Sequence, residues 1–198
     1  MPLKLLGVAG SMRENSYSRR ALEHVLRAAA ARGADTSVLD LRLADLPMYR
    51  PDAPPTDPAG HVRRATEAVG WADAFVLASP DYHGSMSGAM KNFLDYHWEE
   101  FTGKLFGYVC ASHEKGLTVM EQMRTAVRQC YGWSMPYGVS VHGENDFDAA
   151  GNPASPRVQR RLTMLGRDVT VYGALVREQF VKDLHDTDPD TFAARYRK

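Results

Sequence analysis

Leu5-Leu6-Gly7-Val8-Ala9-Gly10-Ser11-Met12-Arg13-Glu14-Asn15-Ser16-Tyr17-Ser18 is the stretch on which the rest of the chain is arranged. Residues 5–9 are an apolar run that reads as a buried strand, and residues 18–31, rich in Ala, Leu and Arg, read as a helix. Between them lies a loop of glycine, hydroxyls and one arginine. Ser11, Ser16, Tyr17 and Ser18 around Arg13, together with the amides at a helix start, aim several donors at one spot, which suits an anion. Two readings stand side by side at this point. In one the loop cradles a cofactor phosphate; in the other Ser16 or Ser18 caps a helix and Arg13 is solvated. The chain has neither GxGxxG nor GxxxxGK[ST] here, which removes the dinucleotide fingerprint and the kinase-type phosphate loop.

Working outward, apolar strand-like runs at 36–41, 74–78, 104–111 and 136–141 alternate with helical spacing at 61–70, 89–98, 117–131 and 157–176. The expected fold class is α/β, a three-layer doubly wound five-stranded parallel sheet with helices on both faces. In such a sheet the loops after the first, third and fourth strands share the carboxyl edge, where ligands bind. Those loops are Gly10 to Ser18, Ser79 to Gly88, and Ser112 to Gly116. The segment 46–58 is too rich in proline for helix or central strand and reads as a long surface connection. Residues 1–176 are expected to form one domain. Residues 177–198 are expected as a tail on the same domain or on a partner subunit, with a short helix capped by Asp188 and opened by Pro189.

The chain has 198 residues, 24 basic and 24 acidic side chains and a pI near 7.1. That balance gives no electrostatic footprint for nucleic acid or an anionic membrane, and neither is expected as a partner. Two cysteines, Cys110 and Cys130, form neither a disulfide framework nor a CxxC pair, so a reducing, cytoplasmic location is expected. No secretory leader or membrane-length apolar run is read from the sequence. The seven histidines show no ligand clustering, so no metal is expected. Residues 84–88 mimic a nucleophile elbow, but Met86 stands where serine is required. With no constellation for hydrolysis, no catalytic side chain is assigned, and a bound cofactor is the economical source of reactivity. His83, His113 and His142 follow strands, where they either face the crevice or brace loops.

Gly10-Ser11-Met12-Arg13-Glu14-Asn15-Ser16 resembles the GSxRxxS signature of the NADPH-dependent FMN reductases, and Ser79-Pro80-Asp81-Tyr82-His83-Gly84-Ser85 resembles their SPxYxGS loop. Met90-Lys91-Asn92-Phe93-Leu94-Asp95-Tyr96 is similar to their LKNALDW segment; Leu46-Pro47-Met48-Tyr49 and Phe147-Asp148-Ala149-Ala150-Gly151 also match. The resemblance implies a flavodoxin-like fold that binds FMN, is reduced by NADPH and forms a homodimer or homotetramer. It places Ser11, Arg13, Ser16 and Ser18, with Tyr17 beside them, at the FMN phosphate. Pro80, Asp81, Tyr82, His83 and Gly84 would line the isoalloxazine ring. The third loop departs from the family's glycine-rich pattern, and Ser112, Lys115 and the Gly116 amide would meet the pyrimidine edge. Hydride would pass from nicotinamide C4 to flavin N5, and then to a small acceptor such as free flavin, a quinone, an azo compound or a metal ion. Arg13, the loop around Tyr49 and Arg50, or a partner subunit remain open for the NADPH 2′-phosphate. Two other classes compete: a flavodoxin-like electron carrier, against which the neutral charge stands, and a non-redox FMN-binding module.

Overall fold

The structure, a computed structural model, describes residues 1–52 and 56–197; residues 53–55 of the proline-rich connection lie outside the described residues. In chain order the elements are β1 (Lys4–Ala9), α1 (Tyr17–Ala30), β2 (Asp35–Asp40), α2 (Leu41–Ala44), α3 (His61–Trp71), β3 (Ala74–Pro80) and α4 (Gly88–Asp95). A 3₁₀ turn (Glu99–Phe101) precedes β4 (Leu105–Ala111), followed by α5 (Leu117–Gln129), β5 (Trp133–Ser134), β6 (Val139–Val141), α6 (Gly143–Asp146), α7 (Pro156–His185) and a last 3₁₀ turn (Phe192–Tyr196).

The strands run in the order β2-β1-β3-β4-β5, all parallel, with β6 also paired to β4. This is the doubly wound α/β sheet expected. The order reverses between β1 and β3, which opens a crevice beyond their carboxyl ends. Side-chain alternation along the strands makes two cores. One, built on Leu5, Val76 and Val109, packs α1 and α7 through Leu22, Val25, Leu162 and Val169. The other, built on Leu6, Val8, Phe75, Leu77, Phe106 and Tyr108, packs α4 and α5 through Met90, Phe93 and Met123. In the second, Phe75 and Phe106 stack with centroids 4.6 Å apart. Each such buried side chain is worth about 1.5–3 kcal/mol of transfer free energy.

Three boundaries differ from the sequence reading. The fifth strand, expected over 136–141, is two short pieces: Trp133–Ser134 beside Leu105–Phe106, and Val139–Val141 beside Val109–Ala111. Pro136 lies in the gap, where it has no N–H to give the ladder. The last long helix continues to His185 instead of ending at Val176. Its extra turns dock on the same domain: Arg177 Nε donates to Asp73 Oδ1 at 2.8 Å, and the Phe180 ring lies where a Cβ on Gly103 would stand, 2.4 Å away. Asp188 and Pro189 do not open a helix. Asp188 Oδ1 accepts the Asp190 N–H at 2.9 Å in a side-chain turn, and the 3₁₀ turn starts after Thr191.

Candidate active site

The first loop is pressed between β1, β3 and α4. Gly10 N–H donates to Ala78 O at 2.8 Å, and Gly10 O accepts from Ser87 Oγ at 2.5 Å. A Cβ on Gly10 would lie 3.0 Å from Met90 Cβ and 3.1 Å from Ala78 O, so only glycine lets the chain cross here. Ser11, Ser16 and Ser18 are all buried. Ser11 Oγ accepts the Arg13 N–H at 3.2 Å, which folds the loop back on itself. Ser16 is the N-cap of α1 and accepts the Arg19 N–H at 3.3 Å; its Oγ also lies 2.9 Å from Ser18 Oγ. Of the two sequence readings the cap is seen for Ser16, which also pairs its hydroxyl with that of Ser18. The Tyr17 and Ser18 amides, in the first turn of α1, have no intrahelical acceptor. Arg13 is exposed beside them. The Tyr17 ring turns away, stacked on Phe147 at 6.1 Å with the Arg20 guanidinium 5.3 Å from its centroid.

The second loop is a tight turn. Tyr82 and Ser85 exchange backbone hydrogen bonds of 3.0 and 3.2 Å, and the central residues His83 (φ 58°) and Gly84 (φ 77°) are both left-handed, the signature of a type I′ turn. Asp81 ties this turn to the third loop: Oδ1 accepts the Gly84 N–H and Oδ2 accepts the Ser112 hydroxyl, each at 2.8 Å. Ser112 Oγ accepts in turn the Glu114 N–H at 3.0 Å, and Ser112 N–H donates to Val141 O at 3.0 Å. Gly116, at φ 62°, opens α5 so close to β4 that a Cβ would come within 2.7 Å of Cys110 Sγ. Burial pushes the Cys110 thiol up to about 12, aided by the nearby Asp81 charge, so it remains protonated and inert.

An open cleft of about 700 Å³ lies between these two loops, walled by Asp81, His83, Gly84, Ser112, Lys115 and Gly116 with His113, Glu114, Leu117 and Thr118. Six of the sequence-derived site residues are thus gathered in one wall. Pro80 ends β3 in a buried position and Tyr82 stands exposed at the turn, neither in that wall. Among the histidines, His83 and His113 line the cleft. His142 braces instead, with Nε2 3.2 Å from His113 Nδ1 and Nδ1 accepting from the Asn145 amide.

Two supporting residues escaped the sequence reading. Gln122, from α5, accepts the Ser85 hydroxyl at 2.9 Å and the Met86 N–H at 3.1 Å, and donates to Gly84 O at 3.4 Å, clamping the turn from behind. Nothing local in the sequence marks it, because its partners come from a different loop. Asn92 is almost buried; its Oδ1 accepts the Tyr49 N–H at 2.8 Å and its Nδ2 donates to Pro47 O at 2.9 Å. With Tyr96 OH donating to Pro47 O at 2.9 Å, it straps the Leu46-to-Tyr49 segment onto α4. Here a signal exists: Asn92 and Tyr96 sit in the segment similar to LKNALDW, and the strap is itself a matched segment.

The chain is 28% identical over 180 residues to an NAD(P)H-dependent FMN reductase of Pseudomonas aeruginosa, spanning 82% of this chain and 93% of that protein. It is 27% identical over 174 residues to an NADPH azoreductase of a Bacillus species, spanning 86% and 94%. Among solved structures, FerB, a flavoenzyme NAD(P)H:(acceptor) oxidoreductase from Paracoccus denitrificans, shares the fold with a TM-score of 0.72 at 19% identity, over 87% of this chain and 98% of that one. The family profile described as NADPH-dependent FMN reductase matches residues 3–146, both ligand-side loops and the cleft between them included, and the chain belongs to that family.

Proposed function

We propose that FMN lies across the carboxyl edge of the sheet, its phosphate in the Gly10-to-Ser18 loop and its ring in the cleft between the Asp81-to-Ser85 turn and the Ser112-to-Gly116 loop. As a member of the NADPH-dependent FMN reductase family the chain is an oxidoreductase that works with FMN and NAD(P)H. The observation that carries the placement is the buried hydroxyl pair of Ser16 and Ser18 at the start of α1, with Ser11 buried earlier in the same loop. The Ser16 and Ser18 hydroxyls lie 2.9 Å apart, Ser16 Oγ accepts the Arg19 N–H, and Ser11 Oγ accepts the Arg13 N–H. Hydroxyls and free amides together make donors for an anion, and the helix end adds favourable potential, about 0.3–1 kcal/mol at an exposed site and up to ~2 when partly buried.

When bound, FMN supplies the two-electron chemistry that carries hydride from NAD(P)H to an acceptor. The chain's own residues bind, orient and screen. Asp81, Ser112 and Gln122 hold the ring-side turn in place before any ligand arrives, which lowers the ordering needed on binding. Lys115 and the start of α5 put positive charge at the cleft wall, which favours an anionic ring edge and raises the potential of a flavin held there. The acceptor we propose is a small molecule such as an azo compound or a quinone; the Bacillus relative is an azoreductase by name.

A visible spectrum of the purified protein, reconstituted with FMN and then mixed with NADPH, tests the reading. Bound-flavin absorption that bleaches with NADPH and returns with a quinone or azo dye is the expected result. Protein that takes up no FMN overturns it, and FMN that binds but is not bleached by NADPH favours an electron carrier. Arg13→Ala is expected to weaken FMN binding by about tenfold or more, the size of one charged hydrogen bond, while moving stability by no more than about 0.5 kcal/mol because the side chain is exposed. Unchanged affinity in an FMN titration removes Arg13 from the phosphate site.

We further propose a homodimer or homotetramer in the cytoplasm. Met164, Tyr172 and Leu175 are exposed at helical spacing along one stripe of α7, an apolar surface that a second copy would cover. Light scattering should give a mass of twice or four times the chain; a monomer at every concentration rules the proposal out. The free thiols of Cys110 and Cys130 suit a reducing compartment. No described helix is long and apolar enough to cross a membrane.

A further inference from the structure

A second cleft, of about 510 Å³, runs from the ring-side cleft along the edge of the sheet between α5 and the start of α7. Glu114, Lys115 and Leu117 belong to the walls of both, so the two are continuous. We propose that this groove receives the adenosine 2′-phosphate end of NADPH, with Arg157 and Arg161 as the phosphate contacts; the inference rests on the reading of the ring-side cleft as the flavin site.

The groove's charges sort into occupied and free. Arg124 is committed: it pairs with Glu121, donates to Met135 O at 3.2 Å and lies over the Tyr108 ring at 5.2 Å. Asp146 holds the His142 N–H through Oδ2 at 2.7 Å. Arg161 reaches only a backbone oxygen, Gly138 O at 3.3 Å, and Arg157 is exposed; among the described residues neither they nor Lys115 is in a salt bridge. Setting the Glu121–Arg124 pair aside leaves Lys115, Arg157 and Arg161 against Glu114 and Asp146, a slight excess of positive charge, so the groove lacks the field to collect anions indiscriminately. What it has instead is geometry. Arg157 and Arg161 are four residues apart on α7, hence on one face, and a guanidinium is a planar fork that matches phosphate oxygens in pairs. Tyr137, its hydroxyl fixed on Asp168 Oδ2 at 2.6 Å, gives the same groove an aromatic wall. A dinucleotide with its reactive ring in the first cleft reaches adjoining space with its other end, and both arginines line the groove that adjoins it. Of the three candidates that the sequence left open, the two within this chain, Arg13 and the residues Tyr49 and Arg50, line neither cleft.

The probe is 2′,5′-ADP, which carries the 2′-phosphate without the nicotinamide, titrated by calorimetry into flavin-free and FMN-saturated protein. Wild type should bind it at least about tenfold more tightly than 5′-AMP, and Arg157→Ala/Arg161→Ala should lose that margin, the two charged contacts together carrying about tenfold or more. In steady state the variant's KM for NADPH should rise about tenfold relative to its KM for NADH. Equal binding of 2′,5′-ADP by variant and wild type, or KM values for both nucleotides that rise together, overturns the proposal. FMN titration of the same proteins is read separately: failure there would fall on the flavin reading, while the 2′,5′-ADP result on flavin-free protein still decides the groove. Arg157→Ala alone, at an exposed position, repeats the test should the double variant prove unstable.

Discussion

Between pH 6.5 and pH 4 the protein is expected to lose about 3 kcal/mol of folding stability through His97. The residue follows α4 and is 2% exposed, walled by Phe93 at 4.9 Å and Phe101 at 5.7 Å between ring centroids. Among the described residues neither ring nitrogen has a hydrogen-bond partner. Burial lowers its imidazole from the ordinary 6.5 to about 4, with Glu100 opposing the change and Lys104 reinforcing it. The folded state thus keeps a neutral ring where the unfolded chain takes up a proton. Above pH 6.5 both states are neutral and nothing is lost. As pH falls through the window the unfolded state alone gains protons, so stability declines, and below about 4 the loss is complete. The gap from 6.5 to about 4 corresponds to about 3 kcal/mol. Urea denaturation at several pH values across the window measures it. His97→Leu should flatten the curve there, and at pH 7 should be neutral or stabilising because two unpaired buried nitrogens disappear. Curves for the two proteins that run parallel from pH 7 to pH 4 would sink the assignment.

Gly10→Ala should damage both the fold and the cofactor site. The added methyl meets Met90 Cβ at 3.0 Å, Met90 Cε at 2.9 Å and Ala78 O at 3.1 Å. The Met90 tip can swing aside, but the carbonyl belongs to β3 and accepts the Gly10 N–H, so the loop itself must lift. Overpacking of this kind costs about 1–3 kcal/mol. Because Gly10 O also holds the Ser87 hydroxyl that caps α4, the lift loosens the join between the two ligand-side loops. FMN affinity should therefore fall by at least about tenfold, since the proposed phosphate donors and the proposed ring cleft lose their shared register. Calorimetric FMN titration beside thermal denaturation separates the two effects. Wild-type affinity with reduced stability would mean that the join is structural only.

The contrast with Arg13 locates where the site stores its precision. Arg13 is exposed and is expected to be replaceable without loss of fold, whereas Gly10, Ser16 and Ser18 are buried in the loop. The same contrast holds at the ring side: Lys115 is an exposed charge, while Asp81 spends both carboxylate oxygens inside the protein. The charged groups proposed to meet the flavin are few and exposed, and the groups that place them are many and packed.

Alternating apolar runs and helical spacing, local properties of the chain, were enough to place the parallel sheet, and the serines of the loop after β1 were enough to mark the N-cap of α1. Those readings survive because hydrophobic period and capping chemistry act within a few residues. The same locality misled at the chain's end. Asp188-Pro189 has the form of a helix start, yet α7 runs on to His185 because Arg177 finds Asp73 and Phe180 finds Gly103, contacts from far earlier in the chain. The strand expected over 136–141 likewise begins only at Val139, with a separate piece at Trp133–Ser134 and Pro136 in the gap between them. Which polar residues act together was decided later still. Gln122 on the Tyr82-to-Ser85 turn, Asp81 on Ser112, and Arg157 with Arg161 beside Lys115 meet only after βαβ crossovers bring separate loops to one edge. No window of sequence contains both partners of such a pair, so their roles came into being with the packing.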